Sequence, residues 1–357
     1  MSGWREARNV LAVRLDNAGD VVMLGPALRA VKETSGARIT LLASPAGTEA
    51  ARLLPWVDDV ITLPAVWQDV GARIPFNPAR ELALIDELRR RAFDAALIFT
   101  SFSQTPHAPA YACYLAAIPL RAGDTKEFGG SVLTTELRST DADDGIHQAE
   151  RDLRLVEAVG FAVRDRSLAI HVDDHARAAA RAALEALGVS SRYVLAHPGA
   201  SASARRYPTD RFRDVVGLIA ASGMDVVVTG TERERSLVER ATPAVTHAHA
   251  LIGGLALPEY AAVVERASAV VCGNTLPLHL ADALRVPVVA LYAGTDLETQ
   301  WRARDTDAVV LRRDTPCHPC YLFDCPIGQP CLDIAPDLIA KEVLDAADRR
   351  VACAAAG

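Results

Sequence analysis

The sequence lacks the long apolar run that a membrane-spanning helix requires. Such a helix needs about 18 or more consecutive apolar residues, and no stretch of that length occurs here. The opening residues, MSGWREARNV, also lack the pattern of a secretory signal and lead directly into an apolar stretch. We therefore expect a cytoplasmic protein without a transmembrane segment, for which only peripheral contact with a membrane stays open.

The sequence also lacks a basic block. It contains 45 acidic and 38 basic residues, which give a net charge of -7. Proteins that bind nucleic acid usually carry a clustered positive surface, so we expect no nucleic acid partner. A site for an anionic small molecule would instead need a local cluster of arginines.

Cysteines are few, and in a cytoplasmic chain their number argues against a disulfide scaffold. Two of them, Cys113 and Cys272, lie in apolar segments and are interpreted as small buried hydrophobic residues. The proline-rich segment 317–331 holds four more, whose spacing could close a tetrahedral structural zinc site: Cys317, Cys320, Cys325 and Cys331. Free or redox-variable thiols are the alternative, and in both cases we expect a structural loop away from catalysis.

The length of 357 residues and the hydrophobic content of 50% suit two domains, each with its own core. Strand-like apolar runs alternate with amphipathic helical segments, which is typical of parallel sheets with right-handed crossovers. We predict an α/β protein with two Rossmann-like, doubly wound domains that face a cleft. The domains span 1–170 and 181–335, joined near Asp165–Ala180, and a terminal helix covers about 336–352.

Residues Val10–Ala30 predict a strand, a tight loop and a helix. The apolar run Val10–Leu15 has the length of a buried strand, Asp16–Asp20 interrupts it, and helical spacing resumes over Val21–Val31. Such a turn at the end of a first parallel strand is a common ligand site, because backbone N–H groups and a helix N-terminus converge there. The simpler interpretation is that Asp20 only caps the helix.

Several motifs occur in a fixed order along the chain. The motifs are Arg14–Asp20, His197–Ala200, Arg205–Pro208, Gly273–Ala281 and Pro287–Leu291. Their order and spacing resemble those of glycosyltransferase family 9, the heptosyltransferases of lipopolysaccharide core assembly. The resemblance covers nearly the whole chain. It implies a GT-B fold in which the first domain binds mainly the acceptor and the second mainly a nucleotide-sugar donor. It also implies a final helix that packs back on the first domain.

Transfer of a sugar to a hydroxyl needs a base for the hydroxyl proton and groups that neutralise the departing diphosphate. The resemblance implies an inverting, metal-independent displacement that requires no cofactor, so one carboxylate suffices as the base. It assigns this role to Asp20. The other carboxylate of the loop, Asp16, is expected to stabilise the loop.

Two loops of the second half are predicted to bind the donor diphosphate. The loop HPGASAS over 197–203 can present the hydroxyls of Ser201 and Ser203 together with backbone amides. Arg205 is expected to clamp phosphate oxygens with its planar guanidinium, unless Arg206 does so. The second loop supplies the hydroxyl of Thr275 and the N-terminus of the next helix. Its histidine, His279, is either a further donor or a structural cap.

The resemblance assigns sugar and ribose contacts to two further residues. Asn274 stands where the family carries an acidic residue that contacts the donor sugar, and Leu276 replaces the usual glycine. Both departures bear on which sugar is bound. Glu232 matches an acidic position near the nucleotide ribose, although a negative charge at a helix N-terminus explains it equally well.

Two acidic pairs imitate the metal-binding DxD motif of another transferase fold. Neither pair follows a predicted strand, and we interpret all four residues as solvated acids: Asp141, Asp143, Asp305 and Asp307. The predicted protein is therefore a glycosyltransferase that moves a heptose or related sugar, with ADP-heptose as the first candidate donor. The acceptor is a glycan or small molecule bound around Ser101–His107 and Lys126–Ser131. The alternatives are a nucleotide-sugar epimerase or hydrolase, and a non-catalytic nucleotide-sugar-binding protein.

Overall fold

A computed structural model describes residues 2–69, 71, 73–189 and 192–356, with the side chains of residue 2 and residues 352–356 left out. The chain divides into two compact units, Met1–His171 and Val172–Gly357. Each unit contains one parallel sheet with helices, and each is described by itself below.

The described residues of the first unit form a six-stranded parallel sheet in the order β3-β2-β1-β4-β5-β6. Its strands are β1 Asn9–Arg14, β2 Arg38–Ala43, β3 Asp59–Thr62, β4 Ala95–Ile98, β5 Leu120–Thr125 and β6 Thr135–Arg138. Its helices are α1 Ser2–Glu6, α2 Ala18–Met23, α3 Gly25–Ser35, α4 Pro45–Ala51, α5 Pro78–Arg91, α6 His107–Leu115 and α7 Gln148–Ala158.

The described residues of the second unit form a sheet with the corresponding order, β12-β11-β10-β7-β8-β9. Its strands are β7 Tyr193–His197, β8 Asp225–Gly230, β9 Ala248–Ile252, β10 Ala269–Gly273, β11 Val288–Leu291 and β12 Ala308–Leu311. Its helices are α8 Asp174–Ala186, α9 Thr209–Ala221, α10 Arg235–Ala241, α11 Leu257–Arg266, α12 Leu276–Ala283, α13 Glu298–Trp301 and α14 Pro336–Ala356.

The strand order reverses at a defined place in each sheet. In the first unit β1 pairs with both β2 and β4, and in the second β7 pairs with both β8 and β10. Crossovers leave the sheet in opposite directions at such a switch point, which opens a crevice at the carboxyl ends of the two strands. The predicted α/β class with two Rossmann-like, doubly wound sheets is confirmed.

Buried apolar side chains on the strands build a separate core in each unit. Leu11, Val13 and Ile98 belong to the first core, and helix α14 helps to close the second core against α9 and β10. Burial of both faces explains why these strands read as near-continuous apolar runs in the sequence. The expectation that the terminal helix packs on the first domain stays a prediction.

The predicted helix Val21–Val31 is wrong in detail, since the chain forms two helices that meet at Leu24. Pro26 lies in the first turn of α3, where its missing N–H is tolerated, but it cannot continue α2. The resulting short helix α2 carries Asp20 in its first turn.

Three elements had no clear signal in the sequence. The edge strand β6 contains Glu136 and Arg138, and such charges are common on edge strands but obscure the apolar pattern. The opposite edge strand β12 is short and half-buried. Helix α8 occupies part of the predicted linker, and it starts where the carboxylate of Asp173 accepts a hydrogen bond from the Ala176 N–H at 2.7 Å.

Candidate functional site

Arg14 ends β1 and is the centre of an ion-pair cluster in the first unit. Its side chain is fully buried. Three carboxylates surround the guanidinium: Asp16 Oδ2 lies 2.8 Å from Nε, Asp20 Oδ1 3.1 Å from Nη2, and Asp152 Oδ1 3.5 Å from Nη1. Burial lowers the pKa of Arg14, but the three carboxylates raise it by more, so the guanidinium stays charged. The cluster lies at the carboxyl end of β1, beside the switch point of the sheet.

Asp20 is fixed at both carboxylate oxygens. Oδ1 faces the Arg14 guanidinium, and Oδ2 accepts a hydrogen bond from the Asn17 backbone N–H at 3.1 Å. Asp20 therefore does cap α2, as the simpler interpretation of the sequence held. The same contacts also orient its carboxylate, so capping does not exclude the predicted role as a base, which stays a prediction.

The other two carboxylates of the cluster are more deeply enclosed. Asp16 Oδ1 accepts a hydrogen bond from Gln104 Nε2 at 2.5 Å, and this contact ties the loop after β1 to the loop after β4. Burial raises the pKa of Asp16, while Arg14 opposes that rise. Burial likewise raises the pKa of Asp152 to about 7 against the opposing effects of Arg14 and Gln148. Near neutral pH the cluster can therefore hold an extra proton.

A polar cleft of about 340 Å³ opens beside this cluster, at the carboxyl ends of β4, β5 and β6. Ser101 lines the cleft, and its hydroxyl accepts a hydrogen bond from Arg14 Nη2 at 3.2 Å. Asp124 and Arg151 form a second buried ion pair in its wall, with 2.7 Å between Oδ2 and Nη1. The segments that the sequence analysis proposed for acceptor binding, Ser101–His107 and Lys126–Ser131, contribute to this wall.

In the second unit the loops after β7 and β10 come together. The backbone carbonyl of Arg205 is so close to Gly273 that a Cβ there would lie 3.3 Å from it. The Arg205 side chain donates to Asp296 Oδ1 at 2.8 Å and to Thr295 Oγ1 at 3.3 Å. Its guanidinium is thus oriented at the carboxyl edge of the sheet, next to the loop that carries Asn274 and Thr275.

The residues around Arg205 differ in how their polar groups are used. Ser201 is exposed, whereas the Ser203 hydroxyl donates to the Phe323 carbonyl at 3.3 Å and contacts the Asp324 carboxylate. Arg206 donates through Nε and Nη2 to the Ala200 carbonyl at 2.9 and 2.7 Å. Arg206 therefore stabilises the loop itself, which leaves Arg205 as the stronger of the two candidates for a phosphate.

Helix α12 begins directly after Thr275, which is its N-cap residue. Asn274 and Leu276 are half-buried, and the Thr275 hydroxyl donates to the Gly273 carbonyl at 3.4 Å. His279 lies on the buried side of the helix, and burial lowers its pKa to about 4. A neutral imidazole donates one N–H only, so any contact between His279 and a phosphate would be a hydrogen bond without a net positive charge.

Glu232 is exposed and pairs with Arg235 through two hydrogen bonds of 2.6 and 2.8 Å. This hydrogen-bonded arginine lowers the pKa of the Glu232 carboxyl. Glu232 is the first residue of a short helical turn. Its position therefore agrees both with a negative charge at a helix N-terminus and with the predicted ribose contact. The ribose contact stays a prediction.

The structure adds a chain of polar contacts at the ends of β7 and β8, in which Thr229 is buried and its two partners are half-buried, and whose contacts the sequence did not predict. His197 Nδ1 lies 3.3 Å from Thr229 Oγ1, which in turn lies 3.1 Å from the Tyr260 hydroxyl. Burial lowers the pKa of His197, although the nearby Glu234 opposes this. Gly199 permits the approach of Glu234, because a Cβ at that position would collide with the Glu234 carboxylate.

The cysteine-rich segment does not assemble a metal site. Within residues 2–69, 71, 73–189 and 192–356, no group of three or more His, Cys, Asp or Glu side chains is arranged to hold a metal ion. Cys317 is exposed, Cys331 is buried, and both are free, as are Cys320 and Cys325. The described residues thus do not show the structural zinc site that the spacing indicated.

The two DxD-like pairs also have structural partners. The Thr140 backbone N–H and Arg154 lower the pKa of Asp143 to about 2, and Asp307 receives a hydrogen bond from Arg349 Nε at 2.7 Å. These contacts are those of a cap and of ion pairs, where the sequence analysis expected solvated acids without named partners. In the part of the chain that the structure describes, no helix has the length and apolarity needed to cross a membrane.

Comparison with known proteins gives these residues a context. The model of glycosyltransferase family 9 (heptosyltransferase) matches residues 81–329. A curated relative, lipopolysaccharide heptosyltransferase 3 of Escherichia coli, is 28% identical over 165 residues, which are 44% of this chain and 47% of that protein. The chain thus spans about half the length of this curated relative.

Solved structures resemble the chain over almost its full length. The ADP-heptose lipopolysaccharide heptosyltransferase II of E. coli has a TM-score of 0.75 at 20% identity, covering 96% of this chain and 99% of that one. The E. coli heptosyltransferase WaaC, solved with ADP, has a TM-score of 0.67 at 18% identity, covering 95% and 99%. These similarities confirm the predicted GT-B fold. With the family model matching well over half of its residues, this chain belongs to glycosyltransferase family 9.

Proposed function

We propose that this protein is an inverting, metal-independent glycosyltransferase that moves a heptose or related sugar from ADP to an acceptor hydroxyl. The observation that carries the proposal is the position of Asp20. Its carboxylate is held by Arg14 and by the Asn17 N–H at the switch-point edge of the first sheet. The cytoplasm is the compartment that we expect for the reaction.

Asp20 has the properties that a base for this reaction needs. Its carboxylate is oriented by two fixed donors, and an ionised carboxylate offers about four lone-pair sites. An acceptor hydroxyl can therefore bind to the same carboxylate and transfer its proton as the new glycosidic bond forms. Arg14 holds the carboxylate in place through its contact with Oδ1.

The second unit contributes groups for the leaving ADP. Arg205 is oriented by Asp296 and Thr295, and its guanidinium can bind two phosphate oxygens at once. Thr275 and the N-terminus of α12 supply further donors beside it. A guanidinium and a helix N-terminus can together offset the negative charge that develops on the diphosphate, which is why we propose a reaction without a metal ion.

ADP is proposed as the carrier because the similarly folded WaaC was solved with ADP. The heptose is proposed because the family model and the curated relative are both described as heptosyltransferases. Asn274 and Leu276 depart from the family pattern at the donor sugar, so a related sugar stays within the proposal.

The proposal is tested by measuring ADP release from ADP-heptose with and without acceptor glycans, in the presence and absence of a chelator. We expect release that depends on the acceptor, resists the chelator and yields a glycoside of inverted anomeric configuration by NMR. Turnover of the sugar without an acceptor would instead indicate an epimerase or hydrolase. Tight binding of the donor with no turnover across a panel of acceptors would indicate a binding protein.

A further inference from the structure

The cleft beside Asp20 has a wall rich in hydroxyl groups. Six serine or threonine side chains line it, together with Gln104 and Phe102. Its volume of about 340 Å³ lies within the range of roughly 300–1,000 Å³ that small-molecule sites usually have. Such a wall offers many weak donors and acceptors, which suits a ligand with several hydroxyls of its own.

Two buried atoms in this wall are left without hydrogen bonds. Asp124 Oδ1 and Arg151 Nε have no hydrogen-bond partner among the described residues, although both side chains are more than nine-tenths buried. A buried polar atom without a partner is costly, so such atoms in a native structure call for an explanation. Both residues line the cleft, so a ligand bound there is the partner that we consider for these atoms.

A hydroxyl group is the chemical partner that suits both atoms. A hydroxyl can donate to a carboxylate oxygen such as Asp124 Oδ1, and it can accept from an N–H group such as Arg151 Nε. A carboxylate or phosphate oxygen could accept from Arg151 but would face the negative charge of Asp124, whose Oδ2 lies 2.7 Å from the same guanidinium. The pair therefore discriminates against anions at its own position.

The remaining charged residues of the wall also disfavour an anionic ligand. Lys126 is the other basic residue of the wall, and its Nζ lies 2.6 Å from Asp144 Oδ1 and 2.9 Å from Asp141 Oδ1. Three acidic residues line the cleft, Asp124, Glu127 and Asp144, against two basic ones. Both basic side chains are thus ion-paired, and an anionic ligand would meet a wall with a net negative charge.

We propose that this cleft binds a neutral, hydroxyl-rich acceptor sugar and discriminates against sugars that carry a carboxylate or phosphate. The proposal rests on the proposed glycosyltransferase function and names the class of its acceptor. Ser101 connects the two places, since it lines the cleft and bonds to Arg14, which also bonds to Asp20. An acceptor in the cleft would have a hydroxyl near the proposed base.

The test is binding of sugar probes to the full chain saturated with ADP, measured by saturation-transfer NMR and calorimetry. The probes are a methyl heptoside, the phosphate monoester of the same glycoside and a methyl hexuronate. We expect the neutral heptoside to bind at least about tenfold more tightly than either anionic probe. Equal or tighter binding of an anionic probe overturns the proposal, and so does the absence of binding by all three.

Two sets of variants locate the site. Ser103→Trp places a bulky group on an exposed residue of the cleft wall and should abolish heptoside binding, whereas Ser222→Trp, on an exposed residue at the end of α9, should not. The double substitution Asp141→Asn and Asp144→Asn removes both partners of Lys126. It should strengthen binding of the phosphorylated probe about tenfold and leave heptoside binding nearly unchanged. Heptoside binding that survives Ser103→Trp contradicts the proposed position.

The outcomes for the cleft and for the proposed function are separable. Binding of ADP and release of ADP from ADP-heptose are measured on the same preparations, and neither ADP binding nor the melting temperature should change in the two sets of variants. If ADP-heptose neither binds nor turns over, the proposed function fails. If it turns over with an anionic acceptor better than with a neutral one, the function stands and the cleft proposal fails.

Discussion

Arg14 Nη2 lies 3.1 Å from Asp20 Oδ1, and this pair joins the end of the first strand to the first turn of the next helix. Arg14 is fully buried, while Asp20 retains a small exposed surface. A ligand beside the cluster can therefore contact the Asp20 carboxylate, whereas the Arg14 side chain has no exposed surface. In the proposed reaction Asp20 is the reactive group, and Arg14 orients its carboxylate.

Replacing Asp20 by asparagine should lower the rate of sugar transfer by at least about 100-fold, the usual range for loss of a general base. Asparagine keeps an oxygen for the Asn17 N–H, so the fold of α2 should survive. The measurement is acceptor-dependent ADP release at saturating donor. Asp86→Asn, on an exposed carboxylate of α5, is the matched control and should leave the rate unchanged. A transfer rate that is equal in the Asp20 variant and the wild type would exclude Asp20 as the base.

Asp152 should make the stability of the first unit depend on pH. Burial raises the pKa of its carboxyl to about 7, above the ordinary value of 3.8. The unfolded chain therefore loses this proton first, and the contribution of Asp152 to stability, complete below pH about 4, is lost as the pH rises through 7. Denaturant titrations at intervals from pH 4 to 8 measure this loss.

Asp152→Asn should flatten that dependence and raise the melting temperature at pH 8 by about 2 °C or more. The amide oxygen can still accept the bond from Gln148, and Arg14 keeps the carboxylates of Asp16 and Asp20. Asp337→Asn, on an exposed residue of α14, serves as the control. If the variant and the wild type show the same slope between pH 4 and 7, another group causes the pH dependence.

Arg205→Ala should weaken binding of ADP by about tenfold or more, because a charge-assisted contact to phosphate is lost. Arg205→Lys keeps the charge but loses the planar fork, so it should recover only part of the affinity. Calorimetry with ADP measures both. Arg213→Ala, an exposed arginine on α9, should bind ADP like the wild type. Unchanged affinity in Arg205→Ala would remove this residue from the donor site.

The cysteines should differ sharply in their reactivity toward a thiol reagent. Cys317 is exposed and should react first in the native protein. Burial raises the pKa of Cys113 to about 12, and Cys272 is also buried with a raised pKa, so both should react only after unfolding. Mass spectrometry of labelled peptides over time distinguishes the sites.

The stability of the cysteine-rich segment 317–331 should not depend on a metal ion. Treatment with a chelator followed by dialysis should leave the melting temperature unchanged, since the described side chains do not form a metal cluster. The control is a chelator already loaded with zinc. A fall in melting temperature that added zinc restores would show that a metal does bind there.

The central strands and the α/β class could be predicted because a strand that is buried on both faces has a near-continuous apolar run in its sequence. The run Val10–Leu15 was predicted as a buried strand, and β1 spans Asn9–Arg14, within one residue of those bounds. The edge strands β6 and β12 were missed because one side of an edge strand has no neighbour, which relaxes the apolar pattern. The break at Leu24 was missed although Pro26 signalled it, since the apolar spacing continues through the break.

Individual residues of the candidate site could be predicted from the sequence, but the contacts between them could not. Asp20 and Arg205 were found through their motifs, but their partners Asp152 and Asp296 were not, because no local pattern records a contact between distant segments. The signal for Arg14 was present as a charged residue at the end of a buried strand. Asp124 and Arg151 have no such signal in the sequence, and their pairing in the wall of the cleft is visible only in the structure.

The enclosed charge cluster has a genetic consequence. Replacing Arg14 by methionine would leave three carboxylates crowded together without their cation, so that substitution alone should abolish expression of folded protein. A second substitution, Asp152→Asn, removes one of the stranded charges and should act as a partial suppressor. Among distant relatives, positions 14 and 152 should accordingly change together more often than either changes alone.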